Sequence, residues 1–447
     1  MLQNRNSSEK HAYSRQVAVK LLTSAERNAV FVNREMEKVL AREPLPRRDR
    51  ALVTMLVNGV MRMRLRLDYE IAQYYQRDFQ HAPSLLKNIL RLAFYQSEFL
   101  DRVPAHAIVF ESVSLARRFF GEERSRFVNA ILRERQRRPV SWPPLDLLAH
   151  DLDALAAYVS HPRWLLERWL LRMPVAEVMK LAEANNQPPS LTLRVVRPEI
   201  HQKDFEQHAR TWKVGVEPVP HVSGFYRLRG AVDVSSLAAI RNGLCVVQDV
   251  SAGLAGLLMA AQPGERIYDM CAAPGGKALH MAEGGATVTA VDINAERLQL
   301  VDETSARLGL PVKSVAADAT TFAEEPADGV LVDAPCSGLG VLSKRADLRW
   351  LRTPEDFVEL QALQLRLLDN AARLVKSGGR LVYSTCTFEP EENELVIRRF
   401  LETHPGFQIE PAEKFVDPAF CDDRGFITTL PHFHGMDGSF AARLRRD

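Results

Sequence analysis

The 447-residue sequence has no apolar run long enough to cross a bilayer. Its longest uncharged central stretch, Val250 to Gly264, is interrupted by Gly and Pro, and a spanning helix needs about 20 apolar residues. The polar N-terminus lacks the apolar core of a signal peptide, so a cytoplasmic protein without a membrane association is expected. Cysteine is also scarce. The five present (Cys245, Cys271, Cys336, Cys386 and Cys421) form no CxxC pair, which argues against a disulfide framework or a zinc site and leaves reactive thiols as their chemical use. His432 and His434 have no further ligands nearby in the sequence, so no metal is expected. Neither the GxGxxG of a dinucleotide site nor a P-loop is present. Gly275-Gly276-Lys277-Ala278 approaches the latter, but the earlier Gly is missing and Ala278 stands where a magnesium-binding hydroxyl would be, which sets nucleotide hydrolysis aside. There is no internal repeat and no low-complexity segment.

What is present is divided unevenly. The net charge of +2 combines 26 Lys+Arg against 15 Asp+Glu in residues 1–140 with 32 against 41 in the remainder. The basic excess is nearly all arginine, which binds phosphate in a bidentate manner and stacks on bases. Confined to one region, it favours a polyanionic partner over a merely solvated face.

From Tyr13 to Arg138 the pattern is helical, with runs over Ser84–Phe99, Ala105–Phe120 and Arg124–Arg135. Ala51, Leu52, Met55, Leu56, Val60 and Met61 recur at three- and four-residue steps and predict a buried face, with Arg48, Arg50 and Arg62 on the polar side. The Pro-rich stretch Pro139 to Pro144 closes this bundle. Residues 146–182 read as further helices, one starting at Ser160 and Pro162. After Asn185-Asn186-Gln187-Pro188-Pro189, the alternation of Leu191 to Val196 and the segment Gly224 to Gly230 predict strands of a small α/β insert. Three domains follow: 1–145, all-helical; 146–245, linker helices and the insert; and 246–447.

In the last of these, strands are expected at Arg266–Asp269, Thr287–Asp292, Lys313–Ala317, Gly329–Asp333 and Arg380–Ser384, with helices between most of them. That alternation predicts an α/β, Rossmann-like, doubly wound and mainly parallel sheet, whose ligands lie at the strand carboxyl ends. The first strand runs through Cys271-Ala272-Ala273-Pro274-Gly275-Gly276-Lys277 into a helix, where small residues permit close backbone approach and the helix start offers free N–H groups. Asp292, Asp318 and Asp333 follow the next three strands. A single acid there suits a turn; three along one edge outline a cleft, and an adenosine cofactor bearing a carboxylate fits it. Cys336 follows the fourth strand and Cys386 the fifth. A lone cysteine is usually a small buried hydrophobe, and Cys245, inside Leu244–Val247, is read so. Two thiols at ligand-edge loops, both flanked by small hydroxyl residues, point instead to one pocket.

These segments are specific. Asp269 to Lys277, Asp333-Ala334-Pro335-Cys336-Ser337-Gly338-Leu339-Gly340, Tyr383-Ser384-Thr385-Cys386-Thr387-Phe388, Arg349-Trp350-Leu351-Arg352 and Met436 to Leu444 resemble the motifs of the RNA 5-methylcytosine methyltransferases, the Nol1/Nop2/Sun family. Arg91 to Tyr95 and Phe127 to Arg133 are similar to a NusB-like RNA-binding domain. Ala278 stands where the family often has Thr.

The resemblance implies that S-adenosyl-L-methionine is the cofactor and that small-subunit (16S) ribosomal RNA is the partner of a monomeric enzyme. It also implies roles for individual residues. Cys271 to Lys277 would hold the methionine end of the cofactor, Asp292 the ribose and Asp318 the adenine side, with Asp333 against the cytosine. Cys386 would be the attacking thiol and Cys336 would assist product release. DNA cytosine methyltransferases use the Pro-Cys thiol as nucleophile, so the Thr-Cys loop points to RNA. Transfer RNA or large-subunit RNA as substrate, and a non-catalytic NusB-like RNA-binding factor, remain alternatives at this stage.

Overall fold

The computed structural model describes residues 7–28, 30–212, 214–230 and 237–447. Two compact units result: one comprises the chain up to Gln187 together with Leu342–Leu351, the other Pro188–Val341 and Arg352–Asp447.

The first unit is helical throughout: α1 (Ser7–Asn28), α2 (Val32–Arg42), α3 (Arg47–Ala72), α4 (Ser84–Phe99), α5 (Ala105–Phe120) and α6 (Glu122–Arg137), then four shorter helices ending at Asn186. In α4, Leu86, Ile89, Leu90, Ala93 and Phe94 share a helical stripe and are fully buried, as their spacing demands. In α3 the buried stripe is Val53, Leu56, Val57 and Val60. The expected face was rotated by part of a turn: Ala51 and Met55 are exposed, and Arg62 is buried with its guanidinium donating to the Ser343 carbonyl. Part of the arginine excess serves internal ion pairs. Arg91 is bidentate to Asp68 (2.6 and 2.7 Å), and Arg66 and Arg135 share Glu98. On α5 and α6, Arg117, Arg118, Arg126, Arg133 and Arg137 remain exposed.

Ser160 does not begin a helix. It ends Leu152–Val159 in the left-handed region (φ 54), and the next helix starts at Arg163 after Pro162. Its hydroxyl is engaged elsewhere, accepting from the Leu65 amide. Arg349, fully buried, donates to the carbonyls of Ser160 and Asn185 and to the side chain of Asn186 (2.8 Å). It has no carboxylate among these partners, and burial followed by the nearby Arg62 lowers its pKa to about 9.

The second unit holds two sheets. The smaller is antiparallel, built from β1 (Leu191–Val195), β2 (Gly215–Pro218), β3 (Phe225–Arg229) and β4 (Cys245–Val247) in the order β2-β3-β1-β4. Cys245 lies in β4, fully buried as expected, with its thiol pushed up to about 12 by that burial. The larger sheet contains β5 (Arg266–Met270), β6 (Thr287–Asp292), β7 (Val312–Ala316), β8 (Ala327–Asp333), β9 (Val375–Thr385), β10 (Phe407–Ile409), β11 (Ile427–Thr429) and β12 (Ser439–Arg446). Its order is β10-β12-β9-β8-β5-β6-β7, with β11 against β12. Strands β5 to β9 pair in parallel, whereas β12 runs antiparallel to β9. The order reverses at β5, which pairs with both β6 and β8, and a ligand crevice opens outside the carboxyl ends at such a point.

Candidate active site

Five strand ends converge because the parallel register sets them level: Met270 opposes Val291 and Val332, Asp292 opposes Ala316, and Asp333 opposes Ser384. After β5 the chain passes Cys271, held at φ 65, and reaches Gly275 at φ 99 before the helix Gly276–Glu283. A Cβ on Gly275 would meet the Val301 side chain at 3.0 Å, so this glycine serves both the turn and the packing of the next helix. Asp292 fastens the same loop, accepting from the Ala273 amide (3.0 Å) and the Asn294 amide (2.8 Å). Asp318 is exposed and accepts from the Thr320 amide and hydroxyl, which hold its carboxyl below the usual range.

Two residues along this edge were given no role by the sequence, although Asp269 opens the first motif. Asp269 is fully buried in β5, and no side chain among the described residues hydrogen-bonds either of its oxygens. Burial, then the neighbouring Asp333, pushes its pKa well up against the pull of Lys277 and the Ala278 amide. Ile293, next to Asp292, is 76% exposed and offers an apolar surface beside the acids. An acid inside a strand and an isoleucine after one carry no sequence signal of their own.

The thiols of Cys336 and Cys386 meet, Sγ to Sγ, at 3.1 Å, and the Cys386 amide donates to the Cys336 sulfur at 3.3 Å. Cys386 is exposed and Cys336 half-buried. The contact with Cys386, then burial, drives the Cys336 thiol well up, so the pair carries one negative charge far more readily than two. Beside them the Lys277 ammonium donates to Asp333 Oδ2 at 2.8 Å, and the Ser384 hydroxyl donates to Oδ1 at the same distance. Burial works against the Lys277 charge, but Asp333, with Asp269 and Cys386 adding, raises its pKa overall.

The loop carrying Cys336 is held through its backbone. Arg352 donates to the carbonyls of Ser337 and Cys336, Gln364 to that of Pro335, and the buried Glu392 accepts from the Ser337 amide at 2.8 Å. Gly340 and Gly438 close the far side, where a Cβ on Gly340 would lie 1.9 Å from the Gly438 carbonyl oxygen. A Cβ on Gly438 would in turn meet the Phe388 ring at 2.7 Å and the Gly340 Cα at 3.0 Å, which accounts for a glycine in each of the two motifs. Among the described residues no group of three or more His, Cys, Asp or Glu is placed to hold a metal, and no helix is long and apolar enough to cross a membrane.

Asp333 has two donors fixing its two oxygens, and Ser384 is the one without a charge. Ser384→Ala is expected to slow single-turnover chemistry at this site by about tenfold or more and to lower the thermal midpoint by a few degrees, since a hydrogen bond to a charged group contributes about 1.5–3 kcal/mol. An unchanged rate would mean that Lys277 alone suffices.

The strand order, the acid-lined edge and the helix start after β5 define a Rossmann-like methyltransferase. Residues 256–445 match the family profile of the 16S rRNA methyltransferase RsmB/F, residues 12–137 the NusB family, and residues 161–235 the ferredoxin-like domain of RsmF/B-like methyltransferases. The chain is 32% identical over 446 residues to the probable ribosomal RNA small subunit methyltransferase B of Bacillus subtilis, covering 97% of this chain and 98% of that protein. The corresponding Synechocystis protein is 36% identical over 445 residues, covering 97% and 99%. Among solved structures, PH0851 superposes with a TM-score of 0.80 at 25% identity over 97% of this chain and 99% of that one. A methyltransferase homolog from Pyrococcus horikoshii gives a TM-score of 0.57 at 26% identity over 65% and 97%. The chain belongs to the RsmB/F family of 16S rRNA methyltransferases, with a NusB-family domain at its front.

Proposed function

We propose that this protein transfers a methyl group from S-adenosylmethionine to carbon 5 of a cytosine in small-subunit ribosomal RNA, through a covalent bond from Cys386 to carbon 6 of the base. The observation that carries this reading is the pair of thiols 3.1 Å apart beside the Lys277–Asp333 ion pair, at the carboxyl edge of the sheet. The names of the relatives support ribosomal RNA of the small subunit as the substrate.

The residues at the edge fit the cofactor. Its ammonium and sulfonium groups are cationic, and Asp269, in the strand that leads into the loop Cys271 to Gly276, is a buried acid with no side-chain hydrogen-bond partner among the described residues. Asp292 suits ribose hydroxyls, the exposed Ile293 a purine face, and Asp318 the adenine side. Bound there, S-adenosylmethionine supplies an electrophilic methyl group.

Carbon 5 of cytosine is a weak nucleophile. A Cys386 thiolate adding to carbon 6 turns the ring into an enamine with a reactive carbon 5. Asp333, held by Lys277 and Ser384, is placed to receive the polar edge of the base and fix its orientation. Once a base has taken the carbon 5 proton, Cys336, which rests as a thiol against Cys386, donates its proton to the Cys386 sulfur as the C–S bond to carbon 6 breaks. A base reaching this pocket must first leave its stack.

Incubation with methyl-labelled S-adenosylmethionine and protein-free 16S RNA, followed by bisulfite mapping, tests the whole reading. Label confined to one or a few cytosines of that RNA is expected; label only in transfer RNA, or on nitrogen or ribose, would refute it.

Asp269 gives a test on the cofactor side. A carboxyl whose folded pKa is raised costs stability once the pH exceeds its unfolded value near 3.9, and the cost grows until the pH passes the folded value. Asp269→Asn removes that cost, so the cofactor-free protein is expected to unfold at higher denaturant at neutral pH. Affinity for S-adenosylmethionine, read by calorimetry, is expected to fall by about tenfold or more as a charged partner is lost. Unchanged affinity would place the cofactor's cations elsewhere.

A further inference from the structure

We infer that Cys336 and Cys386 form an oxidation site for hydroperoxides: the pair closes to an intramolecular disulfide that a dithiol reopens. The formation of this bond stands apart from the methyl-transfer reading; only its effect on activity rests on that reading.

The geometry comes first. A disulfide needs its sulfurs at about 2.05 Å, and these two, on loops following adjacent strands, already touch at 3.1 Å with neither engaged in a disulfide. The Cys386 amide directed at the Cys336 sulfur keeps the two loops in register. Access comes second. Cys386 is exposed, so a small hydroperoxide can reach its sulfur from solvent. The other cysteines differ: Cys245 is buried, and the thiols of Cys271 and Cys421 are pushed up to about 12 and about 11, chiefly by burial.

The chemistry balances. The Cys386 thiolate attacks one oxygen of the hydroperoxide; the S–O bond forms, the O–O bond breaks, and the released alkoxide or hydroxide takes up a proton. Sulfur is oxidised by two electrons to a sulfenic acid and the peroxide is reduced. The Cys336 sulfur then attacks the Cys386 sulfur. The S–S bond forms, the S–O bond breaks, and the Cys336 proton leaves with the hydroxide as water. A dithiol reverses the bond by thiol–disulfide exchange. Cys336 thus acts as a resolving thiol, stopping Cys386 short of the irreversible sulfinic and sulfonic acids.

The test uses the full chain without RNA or cofactor, treated with hydrogen peroxide and mapped by peptide mass spectrometry. The wild type is expected to show the Cys336 and Cys386 peptides linked, two hydrogens lighter and restored by dithiothreitol. Cys336→Ala and Cys336→Ser, each checked for folding by thermal melting, are expected to carry two or three added oxygens on Cys386 that dithiothreitol does not remove. In the wild type, methyl transfer is expected to drop by at least about tenfold on oxidation and return on reduction, as reversible capping of a reactive thiol requires. A wild-type protein that accumulates oxygens on Cys386 without the linked peptides, or oxidises another cysteine first, would overturn the inference. A protein that forms the link yet methylates no cytosine would instead overturn the methyl-transfer reading alone.

Discussion

Cys386→Ser is expected to reduce methylation by a factor of about 10⁴ or more, the usual cost of removing a covalent nucleophile. A serine hydroxyl is almost wholly protonated near neutral pH, and among the described residues no imidazole hydrogen-bonds to position 386, whereas a thiol ionises readily and also leaves readily. Cofactor affinity is expected to persist, because the residues fitting S-adenosylmethionine lie in or just after β5, β6 and β7, not β9. Activity within tenfold of wild type would mean that carbon 6 is not attacked by this sulfur.

Cys336→Ala is expected to give the opposite signature. Addition by Cys386 and methyl transfer can still occur, but the group beside the Cys386 sulfur that assists elimination is gone. The variant is expected to trap RNA in an adduct that survives denaturing gels, approaching one RNA per protein, with turnover lowered by about 10² or more, the usual contribution of a positioned acid or base. The double variant Cys336→Ala with Cys386→Ser is expected to show no adduct. An adduct in the double variant, or none in the single one, would remove Cys336 from product release.

The parallel half of the large sheet was legible because β5, β6, β8 and β9 each carry an apolar run with an acid or a thiol at or just beyond the end, as parallel strands covered on both faces do; β7, at the sheet edge and without a buried residue, is marked mainly by Asp318 after it. Four of the five predicted strands match to within a residue or two at each end. The fifth, Arg380–Ser384, is the apolar part of a longer β9 whose start, Val375 to Gly379, is mostly exposed and contains two glycines. Strand β12 was missed for an electrostatic reason. Ser439–Arg446 includes three arginines, yet Arg443 is buried, paired with Glu410 and donating to the carbonyls of Leu258 and Met259. Strands β4, β10 and β11, three residues each, are too short for periodicity to register.

At the site, the sequence yielded both thiols and the acids of the edge, but not their distances. Those follow from β8 and β9 being neighbours with Asp333 opposite Ser384, a pairing made across fifty residues. For the same reason Ser384, Gln364 and Glu392 were invisible as supports, since each acts on a loop remote from it in the chain. The rotated face of α3 has an equally remote cause: Arg62 reads as polar, yet one of its terminal nitrogens donates in the interior to the carbonyl of Ser343, far along the chain.

The first unit is completed by ten residues encoded far downstream of the rest of it. Until Arg349 has been synthesised, the carbonyls of Ser160 and Asn185 and the amide of Asn186 lack the guanidinium that serves them. During translation at about 5–20 residues per second, that wait lasts roughly 8–30 s after Gln187 is added. A nascent chain halted before residue 342 is therefore expected to be more open to protease within Met173 to Gln187 than one halted beyond residue 351 once the tunnel is cleared. Cutting the gene after codon 187 is expected to give a helical fragment that binds hydrophobic dyes and precipitates, and a synthetic Leu342–Leu351 peptide added in trans is expected to relieve this in part.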